Sequence, residues 1–385
     1  MRPNQENSLY KGILNYNNMK KIYIFENTNS LHIEEALITH YKVFEQEYQV
    51  KFCLNNRAIN RIRNNPTIFN NSMNISKFTN LVSFLKGVSK SDIVVYTTIS
   101  ARNIFLLYVL SLFFSKNIYY IRNANSWLSY TKHSGNAFYR AISLFTTFIK
   151  KIILKKSYQV FVANSNIKNY LVANNVETAI NIVPYKFFDE DNYNLIQYHN
   201  ELRVVIPGGI DISKKNLSLI RESTNILPKN ALKKIKIILL GKPARQEDLD
   251  FCIAWKKEIG DSLYYYTSFI SNDEFLQAIK RSHYILGMLN INFQDKYNKE
   301  IYGISKDTGI DAQAIAYGKP LIINQEYKVI DEVKTSTVGY TDSINLSDIL
   351  ERLSIGDQYD NISTLAMENS RKISLKNIKI RLKGL

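Results

Sequence analysis

Residues 299–324 read KEIYGISKDTGIDAQAIAYGKPLIIN and carry the strongest indication of fold class. Residues 309–318 have the composition of a short helix, with three alanines and a glycine, Gly318, that ends it. The following run, KPLII, is apolar without alternation, which is typical of a strand buried on both faces of a parallel sheet. A helix followed at once by such a strand is one repeat of an α/β domain.

Polar residues surround the start of this helix and admit two interpretations. They comprise Glu300, Lys306, Asp307, Thr308 and Gly309. In the first interpretation, Asp307 or Thr308 is an N-cap whose side chain accepts a hydrogen bond from a backbone amide of the first turn. In the second, the unpaired amides and the partial positive charge of the helix N-terminus bind a phosphate, assisted by the lysine and threonine side chains.

Apolar β-rich runs alternate with helical stretches along the chain. They occur at residues 20–25, 50–54, 92–98, 117–123, 159–165 and 181–184, and again at 202–209, 235–241, 263–269, 284–290 and 320–324. The pattern predicts an α/β protein with two successive doubly wound, Rossmann-like domains. Because ligands bind beyond the carboxyl ends of the strands in such sheets, we expect the site in the cleft between the facing domains.

The domain boundaries follow from this alternation. We predict a flexible extension at residues 1–18, a first domain at 19–188, a polar linker at 189–201 and a second domain at 202–385 with a basic tail. Residues 1–18 lack the continuous apolar run of a signal peptide, and no segment reaches the roughly 18 apolar residues of a membrane-spanning helix. Residues 103–115 are apolar but shorter, which predicts a buried helix.

The net charge of +16 calls for an anionic partner, which could be nucleic acid, an anionic membrane surface or a phosphorylated small molecule. The lysines are dispersed and form no zinc-finger, RRM or basic-zipper pattern, so we expect no nucleic acid partner. The two cysteines, Cys53 and Cys252, are far apart and belong to no CxxC pair. This usage predicts neither a disulfide nor a zinc site and fits a reducing cytoplasm.

Four stretches, in this order, resemble the donor-binding domain of GT-B glycosyltransferases, and most of all glycosyltransferase family 4. They are VVIPGGIDISKKN at 204–216, KIILLGKP at 236–243, YYYTSFISNDEFLQAIKRSHYIL at 264–286 and DAQAIAYGKPLII at 311–323. The first half of the chain is similar more loosely, through residues 160–171 and 181–185. The resemblance implies a GT-B fold whose first domain binds an acceptor and whose second domain binds a nucleotide diphosphate sugar. It also implies no metal and no cofactor besides that co-substrate.

The resemblance assigns donor contacts near the start of the second domain. Gly208 and Gly209 follow a strand, where a glycine turn lets the backbone approach a diphosphate, although a tight βα turn uses the same residues. Lys215 stands where the family has a lysine on the diphosphate, a solvated lysine being the alternative. Gly209 replaces an arginine usual in the family, so Lys214 or Lys306 would complete the phosphate contacts.

The run at 299–324 acquires a role through the same resemblance. In the family, this helix N-terminus receives the phosphates and a flanking glutamate holds the ribose. The corresponding candidates are Glu300, Lys306, Asp307, Thr308 and Gly309. Retaining members carry two glutamates eight positions apart, but the aligned residues here are Ser305 and Gln313. Gln313 can still hydrogen-bond a ribose hydroxyl, and the stereochemistry stays open between retention and inversion.

Catalysis and acceptor binding are predicted in the first domain. Inversion would need a general base on the acceptor hydroxyl. His32 follows the first predicted strand and is the first candidate, because histidine titrates near neutral pH, although a packing role is the alternative. His133 and Glu26 follow as second and third candidates. The polar segment IRNANSWLSYTKHSGN, residues 121–136, combines polar side chains with an aromatic ring, which suits sugar recognition. The candidates for sugar contact are Arg122, Asn123, Asn125 and Trp127. The alternative is a βα loop whose polar groups hydrogen-bond to one another.

Residues 138–157 combine apolar side chains at near-helical spacing with lysines. The lysines are Lys150, Lys151, Lys155 and Lys156. An amphipathic helix of this composition predicts contact with an anionic membrane surface, and a core helix with a charged end is the alternative.

Together these observations predict a glycosyltransferase, transferring a hexose from a nucleotide diphosphate sugar to a lipid-linked saccharide acceptor. The resemblance places it in the synthesis of bacterial surface polysaccharide, O-antigen or capsule, on the inner face of the plasma membrane. Two alternatives stay open. One is a sugar-nucleotide epimerase of the same architecture, and the other is a basic nucleic-acid-binding protein without enzymatic activity.

Overall fold

The computed structural model describes residues 19–26, 33–63, 74–78, 81–98, 104–129, 137–190, 193, 196–294 and 299–383. The chain divides into two compact units. Unit 1 runs to Tyr185 and includes Ile378–Leu385, and unit 2 comprises Lys186–Asp295 and Lys299–Asn377. The predicted linker at 189–201 thus groups with unit 2. Its tyrosines explain this, because the Tyr193 ring lies against Gly318 and the Tyr198 hydroxyl donates to the Ser354 carbonyl.

Unit 1 is built on one parallel sheet of seven strands in the order β3-β2-β1-β4-β5-β6-β7. The strands are β1 Lys20–Glu26, β2 Tyr48–Leu54, β3 Asn74–Lys77, β4 Ile93–Thr98, β5 Lys116–Ile121, β6 Gln159–Val162 and β7 Ile180–Ile182. The helices are α1 Ile33–Phe44, α2 Asn56–Arg63, α3 Leu81–Gly87, α4 Ile104–Phe113, α5 Asn125–Leu128, α6 Ala137–Lys156 and α7 Ser165–Ala173. Val94, Val95 and Tyr96 of β4 are fully buried, so this central strand needs apolar side chains on both faces.

Unit 2 contains a parallel sheet of six strands in the order β10-β9-β8-β11-β14-β15. Its strands are β8 Leu202–Pro207, β9 Ile235–Leu240, β10 Leu263–Tyr265, β11 Tyr284–Gly287, β14 Leu321–Asn324 and β15 Thr337–Tyr340, and the pair β12 Asn292–Gln294 and β13 Lys299–Ile301 forms a separate antiparallel hairpin. The helices are α8 Leu217–Ile226, α9 Lys229–Leu232, α10 Gln246–Ile259, α11 Asn272–Lys280, α12 Ile310–Ala316, α13 Ser343–Leu353 and α14 Tyr359–Arg371. The last helix, α15 Leu375–Leu382, begins in unit 2, and its residues from Ile378 onward belong to unit 1. Apolar clusters that include Val204 and Val205, successive residues of β8, cover the two faces of this sheet.

Two parallel α/β sheets confirm the predicted fold class, and each predicted β-rich run overlaps a strand. The run at 309–324 forms α12 and β14, and Gly318 has a φ of 56° where the helix ends. The sequence interpretation missed β3, β15 and the β12–β13 hairpin. β3 and β15 are edge strands, and their residues are mostly half-buried or exposed, so they lack the continuous apolar run that marks a central strand.

Candidate functional site

A tight glycine turn follows the carboxyl end of β8. Gly208 has a φ of 89°, a conformation that favours glycine because it has no Cβ. The turn also lies close to the loop after β9, since a Cβ added at Gly241 would be 2.5 Å from the Gly208 carbonyl oxygen. Two glycine-containing loops therefore meet at the edge where ligands bind to parallel sheets.

Lys215 places its ammonium group on this turn. Its Nζ donates to the carbonyl oxygens of Pro207 and Gly208, both at 2.8 Å. Burial lowers the pKa of Lys215 to about 8. By contrast, the neighbouring Lys214 is exposed, with its Nζ 3.5 Å from the Asp211 carboxylate. Of these two neighbouring lysines, Lys215 is the one held at the glycine turn.

Glu300 and Lys306 form an ion pair beside α12. Lys306 Nζ lies 2.5 Å from Glu300 Oε2 and 5.3 Å from the centre of the Tyr302 ring. Glu300 is buried, whereas the Lys306 side chain keeps 29 % of its surface exposed. The two predicted donor residues therefore lie together. An anion that binds Lys306 would have to share the ammonium group with the Glu300 carboxylate.

The loop before α12 is held by hydrogen bonds from its own side chains. Thr308 Oγ1 accepts a hydrogen bond from the backbone amide of Ile310 at 3.1 Å, and Gly309 has a φ of 74°. The amide of Gly309 donates to Asp307 Oδ1 at 3.5 Å. The N-cap residue is Gly309, and no side chain caps the helix, so the prediction of an Asp307 or Thr308 N-cap is wrong. Asp307 and Thr308 each contact the backbone amide two residues further on, which is the geometry of a turn before the helix.

Asp311 is a buried carboxylic acid that the sequence interpretation did not assign. It is 1 % exposed, and its Oδ2 accepts a hydrogen bond from the Tyr327 hydroxyl at 2.7 Å. Its Oδ1 is buried and has no hydrogen-bond partner within the described part of the chain. Burial raises the pKa of Asp311 to about 7, with the charges of Asp307 and Glu332 adding to the effect.

The two positions aligned with the family's glutamates have different surroundings. Ser305 is fully buried, and its hydroxyl accepts a hydrogen bond from the Ile301 amide at 3.1 Å, so it closes the loop after β13. Gln313 has a buried Oε1 that finds no partner among the described residues. A buried carbonyl oxygen without a donor is an unsatisfied acceptor, and the ribose contact of Gln313 stays a prediction.

In unit 1, Glu26 ends the central strand β1. It is fully buried, and Thr97 Oγ1 donates to its Oε2 at 2.8 Å. The other two predicted base candidates, His32 and His133, lie outside the described residues.

The described part of the loop after β5, residues 122–129, holds two of the predicted sugar-contact residues in buried positions. Trp127 is 3 % exposed, with its ring 6.0 Å from that of Tyr119, so the indole belongs to the core and offers no open face for a sugar. Asn125 is buried and its Oδ1 accepts from the Tyr170 hydroxyl. Arg122 and Asn123 are half-buried. The Arg122 guanidinium lies 4.5 Å from the centre of the Tyr185 ring.

Helices α4 and α6 share an apolar surface, which we call the α4–α6 surface. Its exposed side chains are Phe105, Leu112, Phe113, Phe138, Ile142, Leu144, Phe145 and Phe148. The rings of Phe105 and Phe145 are 5.7 Å apart and join the two helices. The predicted buried helix at 103–115 is therefore buried on one side only. None of the described helices has the length and apolar character needed to cross a membrane.

The lysines of α6 separate into two groups. Lys151, Lys155 and Lys156 are exposed. Lys150 instead donates to the Ser126 carbonyl, and burial lowers its pKa. The prediction that all four lysines face an anionic surface is wrong for Lys150, because its position on α6 turns it toward α5.

Comparisons with known proteins identify the fold. No protein-family model and no curated protein sequence matches the chain. Anabaena Alr3699/HepE, solved in complex with UDP-glucose, matches with a TM-score of 0.64 at 11 % identity, over 94 % of this chain and 98 % of that chain. WaaG, a glycosyltransferase involved in lipopolysaccharide biosynthesis, matches with a TM-score of 0.53 at 10 % identity, over 94 % of this chain and 100 % of that chain. The N-terminal domain of Candida albicans trehalose-6-phosphate phosphatase gives a TM-score of 0.60 at 9 % identity, over 93 % and 94 %.

These likenesses span nearly all of each chain and show that this protein has the GT-B fold predicted from its motifs. At such low identity they do not extend to the narrower family. Assignment to glycosyltransferase family 4 rests on the four sequence stretches alone.

Proposed function

We propose that this chain is a glycosyltransferase that transfers a hexose from a nucleotide diphosphate sugar to a lipid-linked saccharide. The observation that carries the proposal is the Lys215 ammonium group held on the glycine turn at the carboxyl end of β8. In a parallel sheet this is the edge at which ligands bind. The GT-B fold supports the reaction class, and HepE, a structure of the same fold, was solved with UDP-glucose.

The donor would bind to unit 2 through charge and backbone groups. A diphosphate on the glycine turn would replace the two carbonyl oxygens as the partner of Lys215 and would stabilise its charged form. Lys306 would add a second cation, while its partner Glu300 and the free carbonyl oxygen of Gln313 would accept ribose hydroxyls. No metal or further cofactor enters the proposal.

The acceptor would bind to unit 1, near the carboxyl end of β1. Glu26 lies there and is the described candidate for a general base on the acceptor hydroxyl. Arg122 and Asn123, which follow β5, are the candidates for direct sugar contacts.

The α4–α6 surface supports a lipid-linked acceptor. Exposed phenylalanines beside Lys151, Lys155 and Lys156 match an interface of acyl chains and anionic headgroups. We therefore propose a cytoplasmic protein held on the inner face of the plasma membrane, acting in the synthesis of bacterial surface polysaccharide such as O-antigen or capsule. WaaG, which shares the fold, is described as acting in lipopolysaccharide biosynthesis.

Removing one donor-site lysine should weaken binding of the nucleoside diphosphate. We expect Lys215→Ala and Lys306→Ala each to lower the affinity for UDP or GDP about ten- to a hundredfold, because each loses a charge-assisted contact worth roughly 1.5–3 kcal/mol. Titration calorimetry measures the change. Lys214→Ala is the matched control for Lys215, since Lys214 is adjacent but exposed and paired with Asp211.

Thr308→Val separates phosphate binding from stabilisation of the turn before α12. Because Thr308 Oγ1 accepts from the Ile310 amide, this variant should lower the melting temperature while costing less nucleotide affinity than Lys306→Ala. If Lys306→Ala and Lys215→Ala both bind the preferred nucleotide as well as the wild type does, the phosphate site lies elsewhere.

A further inference from the structure

A second site candidate lies at the opposite end of the unit 2 sheet. A groove of about 390 Å³ opens beside the first residues of β8, β9 and β10. Arg203 and Lys236 are the second residues of β8 and β9 and are paired in register, so their side chains point to the same face. The glycine turn lies at the other end of β8, about 16 Å away along the strand. The groove is therefore separate from the proposed donor site.

Basic side chains dominate this groove. Its lining includes Arg203, Lys236, Lys256 and Arg281 against two acids, Glu201 and Asp261. Three of the cations are already engaged. Arg203 Nε donates to Glu201 at 2.7 Å, Lys236 Nζ to the Asp261 carbonyl at 2.5 Å and Lys256 Nζ to the Leu263 carbonyl at 2.7 Å.

Arg281 differs from these three residues. It is exposed at the C-terminus of α11 and lines the groove, yet its guanidinium has no hydrogen-bond or ion-pair partner in the part of the chain that the structure describes. A guanidinium offers five N–H donors in a planar arrangement that matches the oxygens of a phosphate. Arg281 is thus the side chain of this groove best placed to bind an anion.

A helix C-terminus would ordinarily repel an anion through its unpaired carbonyls. Here the buried Lys319 counters this repulsion. Its Nζ donates to the carbonyl oxygens of Lys280 at 2.8 Å and Ser282 at 2.7 Å, the two residues on either side of Arg281. Two carbonyl oxygens at this end of α11 are therefore paired with an ammonium group, which offsets part of their negative charge.

Tyrosines form the apolar part of the groove. Tyr264 is 52 % exposed, and its ring lies 5.0 Å from that of Tyr266 at an angle of 88°. Ile238 of β9 lines the groove next to them and is paired in register with Tyr264. Aromatic faces with hydroxyl groups at their tips suit a ligand that has both an apolar ring face and hydroxyls.

We propose that this groove binds a small sugar phosphate, with the phosphate on Arg281 and the sugar ring against Tyr264. The volume lies in the usual range of small-ligand sites and accommodates one hexose phosphate. Arg203 pairs with Glu201 and Lys256 with Asp261, which leaves the charges of Lys236 and Arg281 in excess. This excess favours a phosphate dianion, and the tyrosines account for the sugar. The site would act independently of nucleotide binding, so it does not rest on the proposed transfer reaction.

Binding of glucose 6-phosphate to the full chain tests this inference. We expect calorimetry to detect binding to the wild type, and Arg281→Gln to weaken it about ten- to a hundredfold, because one charge-assisted contact is lost. Tyr264→Ala should weaken glucose 6-phosphate but leave inorganic phosphate unchanged. Arg381→Gln is the matched control, since Arg381 is an exposed arginine of α15 that does not line the groove.

Two further measurements separate the groove from the donor site. Glucose 6-phosphate should bind Lys306→Ala as well as it binds the wild type, and Arg281→Gln should leave UDP affinity unchanged. Equal binding of glucose 6-phosphate by the wild type and Arg281→Gln would overturn the proposal. So would the absence of binding at millimolar concentration, or equal affinity for inorganic phosphate and glucose 6-phosphate.

Discussion

Asp311→Asn is expected to stabilise the folded chain at pH 8, with a gain of up to about 4 kcal/mol in the free energy of unfolding. The folded chain holds the Asp311 pKa near 7, whereas an unfolded aspartate titrates near 3.8, and each pH unit of that difference corresponds to about 1.4 kcal/mol. The folded state therefore favours the protonated acid, and stability is lost as pH rises through this window. Asparagine stays neutral and keeps an acceptor for the Tyr327 hydroxyl.

Urea unfolding at pH 5 and pH 8 measures this effect. The gain should be smaller at pH 5, because the carboxyl group is then protonated in the folded chain. At that pH the wild type loses only part of the stability that it loses at pH 8. Asp348→Asn is the control, since Asp348 is an exposed residue of α13 and its replacement should change stability little at either pH. A gain at pH 8 no larger than at pH 5 would show that the pKa of Asp311 is not raised in the folded chain.

Replacing phenylalanines on the α4–α6 surface should release the protein from lipid vesicles. Phe145 and Phe148 are 51 % and 60 % exposed, and burying one such side chain is worth about 1.5–3 kcal/mol. Because about half of each side chain is already buried in the protein, Phe145→Ser with Phe148→Ser should lower vesicle affinity by about ten- to a hundredfold. Co-sedimentation with vesicles that contain anionic lipid measures the loss.

One control variant and one charge variant test whether the effect belongs to the α4–α6 surface. Phe269→Ser should have no effect, although Phe269 is 80 % exposed, because it lies in unit 2 and outside this surface. Changing Lys151, Lys155 and Lys156 to glutamine should cost about 1 kcal/mol per residue and only on anionic vesicles, an effect that salt reduces. Vesicle binding unchanged by both sets of substitutions would exclude this surface as the membrane contact.

The strands were predictable because the central strands of a parallel sheet consist of continuous apolar runs, as β4 and β8 do. Local pattern also located Gly318 and the helix before β14. The surroundings of individual polar residues could not be predicted from the sequence in the same way. Lys150 and Lys151 are neighbours in sequence, but successive residues point in directions about 100° apart around a helix, so one donates to Ser126 and the other is exposed.

The misjudged site residues depend on contacts distant in sequence. Trp127 stands among polar residues, which favours an exposed position, yet Tyr119 and the fold of unit 1 bury it. Asp311 could be recognised only by its partner Tyr327, sixteen residues away, and by the absence of solvent around it. Lys215 was assigned through the family resemblance, and only the structure shows that its ammonium group donates to two carbonyl oxygens of the glycine turn.

The central claim is that this chain transfers a sugar from a nucleotide diphosphate sugar to a lipid-linked saccharide. The direct measurement incubates the purified chain with radiolabelled nucleotide sugars and bacterial lipid-linked saccharides, and follows both the label in the lipid fraction and the nucleoside diphosphate released. We predict that label enters the lipid fraction with an equal amount of nucleoside diphosphate, and that Lys215→Ala lowers the rate at least tenfold while Lys214→Ala does not. Epimerised or hydrolysed nucleotide sugar with no label in the lipid fraction would contradict the claim.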